Sequence, residues 1–244
     1  MAANRKSAAK RGKYPMARKL AFAGLIIAFC LCFFAPALQA AGVSEEAKVQ
    51  AATAVIREIM DIPESAIPPS LLRQARGIAI FPDLLKGGFL IGARFGIGIL
   101  LVRNPDQTWS NPLFFHLVGG SFGLQVGAQL SDVILVMRSI PNLDVLINGK
   151  LTLGADVAVA AGPVGRQAEA STDSLGIILS YSKCRGLFAG LSLEEAVMQI
   201  DNGSNAAFYN DPALLPMEIL ANPNMPAPAV ATELKRVLVW YSTH

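Results

Sequence analysis

The sequence has 244 residues, 52% of them hydrophobic and 16% charged, with a formal net charge of +3 and two histidines. That length suits one domain with a sizeable core, or one domain with appendages. Two histidines and the single cysteine beyond residue 40, Cys184, are too few for a zinc motif, and the positive charge resides at one end of the chain, so it is no argument for nucleic-acid binding.

Arg5, Lys6, Lys10, Arg11, Lys13, Arg18 and Lys19 lie in the first 40 residues, which contain no acid. The apolar run Leu20–Phe34 follows. At about 1.5 Å per residue it makes roughly 22 Å of helix, short of the about 30 Å of a bilayer core. Basic head, apolar middle and small-residue tail read as a secretory signal over residues 1–40, cleaved after Leu38-Gln39-Ala40. Met16 would itself start a signal of ordinary length. An uncleaved membrane anchor is one rival reading. Lipidation at Cys30 or Cys32 is another, disfavoured by Phe29 and Leu31 just before them. Cleavage leaves 14 Lys and Arg against 18 Asp and Glu, a net charge near −4, with Cys184 as the sole cysteine. One cysteine makes no internal disulfide, so packing must hold the fold. The expected location is periplasmic or secreted, in association with a membrane.

Ser44 is placed to cap a helix whose first turn carries Glu45 and Glu46 and whose apolar positions are Val49, Ala52, Ile56 and Ile59. Pro63, Pro68 and Pro69 end it, and a helical turn is expected over Leu71–Ala75. From Arg76 the period becomes two. Gly77–Phe81 reads as a strand stopped by Pro82-Asp83. Gly87–Arg103 has bulky apolar residues at odd positions and mostly glycines at even ones, which reads as two strands with a tight turn or one strongly curved strand. Asn104-Pro105-Asp106 is a turn. Strands are expected over Thr108–Val118 (interrupted at Asn111-Pro112), Gly119–Leu130, Val133–Met137, Lys150–Ala160, Leu175–Ser182 and Leu187–Leu193. A short helix or turn is expected over Leu143–Ile147. Ser192 followed by Glu195 predicts a capped helix over Ser192–Ile200. Short helical pieces are expected at Ala206–Tyr209 and Ala213–Leu220, and a last helix carries the stripe Val230, Leu234, Val237, Leu238. The pattern predicts an α+β fold, a curved antiparallel sheet or barrel-like β core with flanking helices in a single domain.

Gly119-Gly120-Ser121-Phe122-Gly123 matches the nucleophile elbow of serine hydrolases, but that elbow needs a helix after it, and here a period-two pattern follows. His116 precedes the serine and the only later histidine is His244. Asp132, Asp156 and Asp173 read either as a carboxylate cluster or as turn caps. Cys184 reads as a small packed residue. No catalysis, cofactor or metal is expected. The remaining signal is basic: Arg166, Lys183 and Arg185 lie beside glycines, where backbone N–H groups also reach an anion, and a guanidinium fork suits phosphate.

At these residues the chain resembles the SYLF family, also described as the yeast actin-patch type. The blocks are Ala75–Pro82, Gly88–Gly92, Trp109–Pro112, Gly119–Ala128, Leu153–Arg166, Ser180–Leu193 and Phe208-Tyr209. The resemblance implies a secreted bacterial envelope member binding the anionic head group of a phospholipid or phosphoinositide, without catalysis. Arg166 and Arg185 are the head-group residues it suggests, with Lys183 added on charge alone. The implied organisation is a signal over 1–40, a helical segment over 41–72, the lipid-binding domain over 73–210 and a helical extension over 211–244. The alternative is a structural or interaction protein that docks a protein partner through the glycine-rich sheet.

Overall fold

The computed structural model describes residues 44–63, 66–139, 147, 150–162, 177–185, 193, 195–222 and 225–243; within its strands the side chains at 89–91, 121–127, 177 and 184–185 lie outside that description. The first 43 residues, and with them every reading of the leader, fall outside it too.

Helix α1 spans Glu45–Met60. The Ser44 hydroxyl accepts the Ala47 N–H at 3.2 Å, and Glu45 and Glu46 complement the positive end of the helix dipole. One stripe, Val49, Ala52, Val55, Ile56 and Ile59, is buried. A short α2 covers Pro69–Gln74, with proline at its start, where no backbone N–H is needed.

The sheet is dominated by two very long antiparallel strands, β1 (Gly77–Val102) and β2 (Leu113–Met137). They pair along nearly their whole length, from Leu100 with Leu113 to Gly77 with Met137. A strand of that length rises about 3.3 Å per residue and would reach roughly 86 Å if straight. Instead its two ends meet: the Arg103 N–H donates to the Arg76 carbonyl at 2.8 Å. The ribbon is therefore curled into a half-barrel. Register shifts between Phe81 and Leu84 and between Phe89 and Ile91 mark its irregularities. Asp83 sits at the first with φ 51°, and its N–H donates to the buried Asp132 carboxylate at 3.1 Å. The expected stop at Pro82-Asp83 is thus a bulge, and the strand runs on. Gly96 and Gly98 permit the curl, because a Cβ at Gly98 would lie 2.5 Å from the Phe81 ring and one at Gly96 2.7 Å from Leu84.

Other strands extend the sheet from β2. Strand β5 (Ile177–Arg185) pairs with its C-terminal part and β6 (Val197–Ile200) with Phe115–Val118. Strand β3 (Lys150–Thr152) adds to β6, and β4 (Ala158–Ala161) adds to β5. The β4–β5 pair is parallel, and so is the isolated bridge between Leu153 and Val157, in departure from the antiparallel expectation. The predicted strand over Lys150–Ala160 is broken at 154–156, where Gly154 has φ 92° and Asp156 accepts the Thr152 N–H at 2.7 Å. The helix predicted through Ile200 is a strand at Val197–Ile200: Met198 fills the inner core and pairing with β2 overrides the capping pattern. The predicted strand Leu187–Leu193 and the helical piece at Leu143–Ile147 fall almost wholly outside the described residues.

Helix α3 (Asn202–Tyr209) starts at an Asp201 cap that accepts the Ser204 N–H at 3.0 Å and ends at Asn210 in the left-handed conformation. Helix α4 covers Pro216–Ala221 and α5 covers Ala229–Thr243. The two faces of the sheet bury separate cores. On the outer face Ile78, Ile80, Ile99, Leu101, Phe114, Ile134 and Val136 pack under α1, α2 and α5. On the inner face Phe81, Leu84, Leu100, Phe115, Leu117, Val133 and Leu135 pack with Met198 and with Ile219 and Leu220 of α4. Fully buried side chains such as Ile56 and Phe81 each contribute about 1.5–3 kcal/mol.

Candidate functional site

Helix α1 is about 24 Å long at 1.5 Å per residue, and the ribbon it covers is far longer. The outer face therefore continues past the helices. Alternation along β1 and β2 assigns Leu85, Phe95, Val118 and Leu130 to that same face. Their exposures are 46%, 49%, 51% and 40%. They form two cross-strand pairs, Leu85 with Leu130 and Phe95 with Val118. Such pairs sit about 4.5–5.5 Å apart and behave as single apolar units. His116 stacks on Phe95 with ring centroids 5.9 Å apart, and its Nε2 lies 3.4 Å from Asp201 Oδ2.

Strand β5 brings Lys183 to this surface. Lys183 is in register with Asp132, and two positions on Arg185 is in register with Leu130. The Lys183 ammonium donates to Glu58 Oε2 of α1 at 2.7 Å. Both partners are well exposed, so the bond is a solvent-facing one. Arg166 lies outside the described residues, so the structure relates Lys183 and Arg185 to each other and leaves Arg166 unplaced.

Two other cations, Arg103 and Arg94, are tied into the fold. Arg103 donates to the carbonyls of Ala75, Leu72 and Gln107 at 2.9, 2.9 and 3.1 Å and stacks 4.2 Å from the Trp109 ring centroid. It locks the point where the ribbon ends meet. Arg94 is only 3% exposed on the inner face, beside Gly119, and burial pulls its pKa down while Glu195 opposes that shift. Two of the three candidate carboxylates are also accounted for. Asp132 accepts at the bulge and Asp156 at the turn, while Asp173 lies outside the described residues. Among the described residues no group of three or more His, Cys, Asp or Glu is placed to hold a metal. Ser121 pairs with Gly92 in the middle of a ladder, without the strand-to-helix turn of a nucleophile elbow. Cys184 is in register with Ser131.

The sequence reading missed the exposed apolar pairs. Their signal was present: an apolar face of β1 that outlasts any helix available to cover it.

The described residues form a curled two-layer α+β domain with an exposed apolar sheet face and Lys183 beside it. A family profile described as a Las17-binding protein actin regulator, Ysc84, matches residues 118–241. Protein YSC84 of Saccharomyces cerevisiae is 36% identical over 180 residues, covering 72% of this chain and 38% of that protein. LAS seventeen-binding protein 3 of the same yeast is 37% identical over 172 residues, 68% of this chain and 37% of that one. Human SH3 domain-containing YSC84-like protein 1 is 33% identical over 201 residues, 79% of this chain and 58% of that one. This chain belongs to the Ysc84 family, the SYLF family of the sequence reading. It spans about two fifths to three fifths of the length of these relatives.

Proposed function

We propose that the chain is a non-catalytic module that binds anionic phospholipid surfaces through the uncovered outer face of the ribbon. One observation carries the reading: two exposed apolar pairs lie on the same sheet face as Lys183, with Arg185 in register beside Leu130. Apolar pairs supply burial at the head-group boundary, and cations supply local attraction of about 1 kcal/mol each near an anionic surface. Attraction must be local, because the chain after residue 40 carries a net negative charge. Arg166 joins Lys183 and Arg185 on the family resemblance. With the leader removed, the membrane would be one of the cell envelope, met from the periplasmic or extracellular side.

A second reading has support in the names of the relatives, which speak of Las17 binding: the same sheet face docks a protein. Salt separates the two, since head-group attraction weakens as ionic strength rises and apolar docking persists. The test is co-sedimentation with phosphatidylglycerol liposomes at two salt concentrations. Wild type binds at low salt, and K183E/R185E binds roughly tenfold more weakly. Binding that ignores both the variant and the salt overturns the phospholipid reading.

A further inference from the structure

Residues 186–234 contain six Asp or Glu and no Lys, Arg or His. This acid-only stretch builds α3, α4 and the loops between them. Two adjoining cavities, about 660 and 440 Å³, flank its segment Leu214–Met217 and share Leu214 and Met217 in their walls. Leu215 is 61% exposed and Met217 45%. Tyr209, Met225 and Pro226 line the larger cavity on its far side. An exposed leucine and methionine between two hollows form an unfilled apolar groove, and methionine's flexible thioether adapts such a surface to more than one side chain.

Asp211 and Glu218 line the larger cavity. Each carboxylate also accepts a local backbone N–H, from Ala213 at 2.9 Å and from Leu215 at 3.0 Å. Those bonds fix the carboxylates in place, and among the described residues no cation stands in either cavity wall to compensate their charge. Lys235 lies near this end, and its ammonium donates to Asn111 Oδ1 at 2.8 Å, while Asn111 Nδ2 donates to the Met225 carbonyl. An anionic bilayer is repelled by such a rim, and a cationic apolar chain is attracted.

We propose that the Leu214–Met217 groove docks a cationic amphipathic segment of a protein partner, its apolar side chains entering the two hollows and its cations meeting Asp211 and Glu218. The apolar contacts supply the affinity and the carboxylates select the sign of the partner's charge. This surface is separate from the ribbon face and stands whether or not that face meets lipid.

The probe is a fluorescein-labelled amphipathic peptide of leucine and lysine, with a leucine and glutamate peptide as its charge-reversed control, titrated by anisotropy against the full chain. The lysine peptide binds and the glutamate peptide does not. D211N/E218Q keeps both N–H acceptors, so the fold is retained. It weakens the lysine peptide roughly fivefold and flattens the salt dependence. L215Q/M217Q removes apolar contact and weakens binding roughly tenfold at any salt, with thermal melting confirming the fold. Absence of binding to wild type, equal binding of both peptides, or affinity unchanged in both variants overturns the proposal.

Discussion

Lys183 Nζ lies 2.7 Å from Glu58 Oε2, which ties the basic end of β5 to the exposed side of α1. Because both groups face solvent, the bond contributes at most about 1 kcal/mol. Glu58 thus holds the Lys183 ammonium beside the apolar face while masking part of its charge. Replacing Glu58 by Gln is expected to leave thermal stability within about 1 kcal/mol of wild type. It is expected to raise affinity for phosphatidylglycerol liposomes about two- to fivefold. Unchanged liposome binding in E58Q would remove Lys183 from the proposed site.

Gly98 and Gly120 should respond oppositely to alanine. At Gly98 the new methyl would press on the Phe81 ring, at the close approach that lets the ribbon curl, and overpacking of that kind costs about 1–3 kcal/mol. At Gly120 a Cβ meets nothing within 4 Å, so alanine is neutral or stabilising by up to about 1 kcal/mol. Urea denaturation of the two variants, at unchanged m-value, measures the contrast.

Arg103 is expected to matter for folding and not for binding. Its replacement by alanine strips three carbonyls of a charged donor and removes the stack on Trp109, a loss of about 2–4 kcal/mol. Lysine restores the charge without the planar fork and recovers only part of that stability. Chemical denaturation gives the ranking wild type, R103K, R103A. Liposome affinity of whatever remains folded should be the same in all three.

Burial pushes the phenol pKa values of Tyr181 and Tyr209 up, well above the ordinary value near 10. A raised folded-state value means the neutral phenol is the form that stabilises the fold. That stability is intact below about pH 10 and is lost as pH rises from there toward the folded-state values. Denaturation midpoints should therefore fall on going from pH 9 to pH 11. Y181F should fall less steeply than wild type, because one of the two buried phenols no longer has to ionise; an equal slope in Y181F would contradict this assignment.

Much of the fold was legible before any coordinates. Ser44, the Val49–Ile59 stripe and the Leu234–Val237–Leu238 stripe specify α1 and α5 by local physics alone. The even-position glycines of β1 signalled close approach, and Gly96 and Gly98 lie against Leu84 and Phe81. What local reading missed was decided at long range. Pro82-Asp83 looks like a terminator until Asp132, far along the chain, accepts the Asp83 N–H and turns it into a bulge. Glu195 and Val197–Ile200 carry helix signals that lose to pairing with Phe115–Val118. In the site, charge pointed to Lys183 and Arg185, but the strand expected over Leu175–Ser182 stops short of both; β5 runs on through Arg185 because its end pairs with Leu130–Asp132. The exposed pairs Leu85–Leu130 and Phe95–Val118 needed the strand register, which no single segment contains.

The pairing of β1 with β2 also orders the events of assembly. The shortest closure joins Leu100 to Leu113 across the Asn104–Thr108 turn, and the longest joins Gly77 to Met137, sixty residues apart. Zipping must spread outward from that turn, because each successive pair then closes only a small additional loop. Ile78, Ile80, Ile134 and Val136, at the far ends of the zipper, share their core with α1, which precedes the ribbon in sequence, and with α5, which follows it, so that core is complete only after the last pairs have closed. Until those pairs close, the folding chain carries an adhesive, half-built surface.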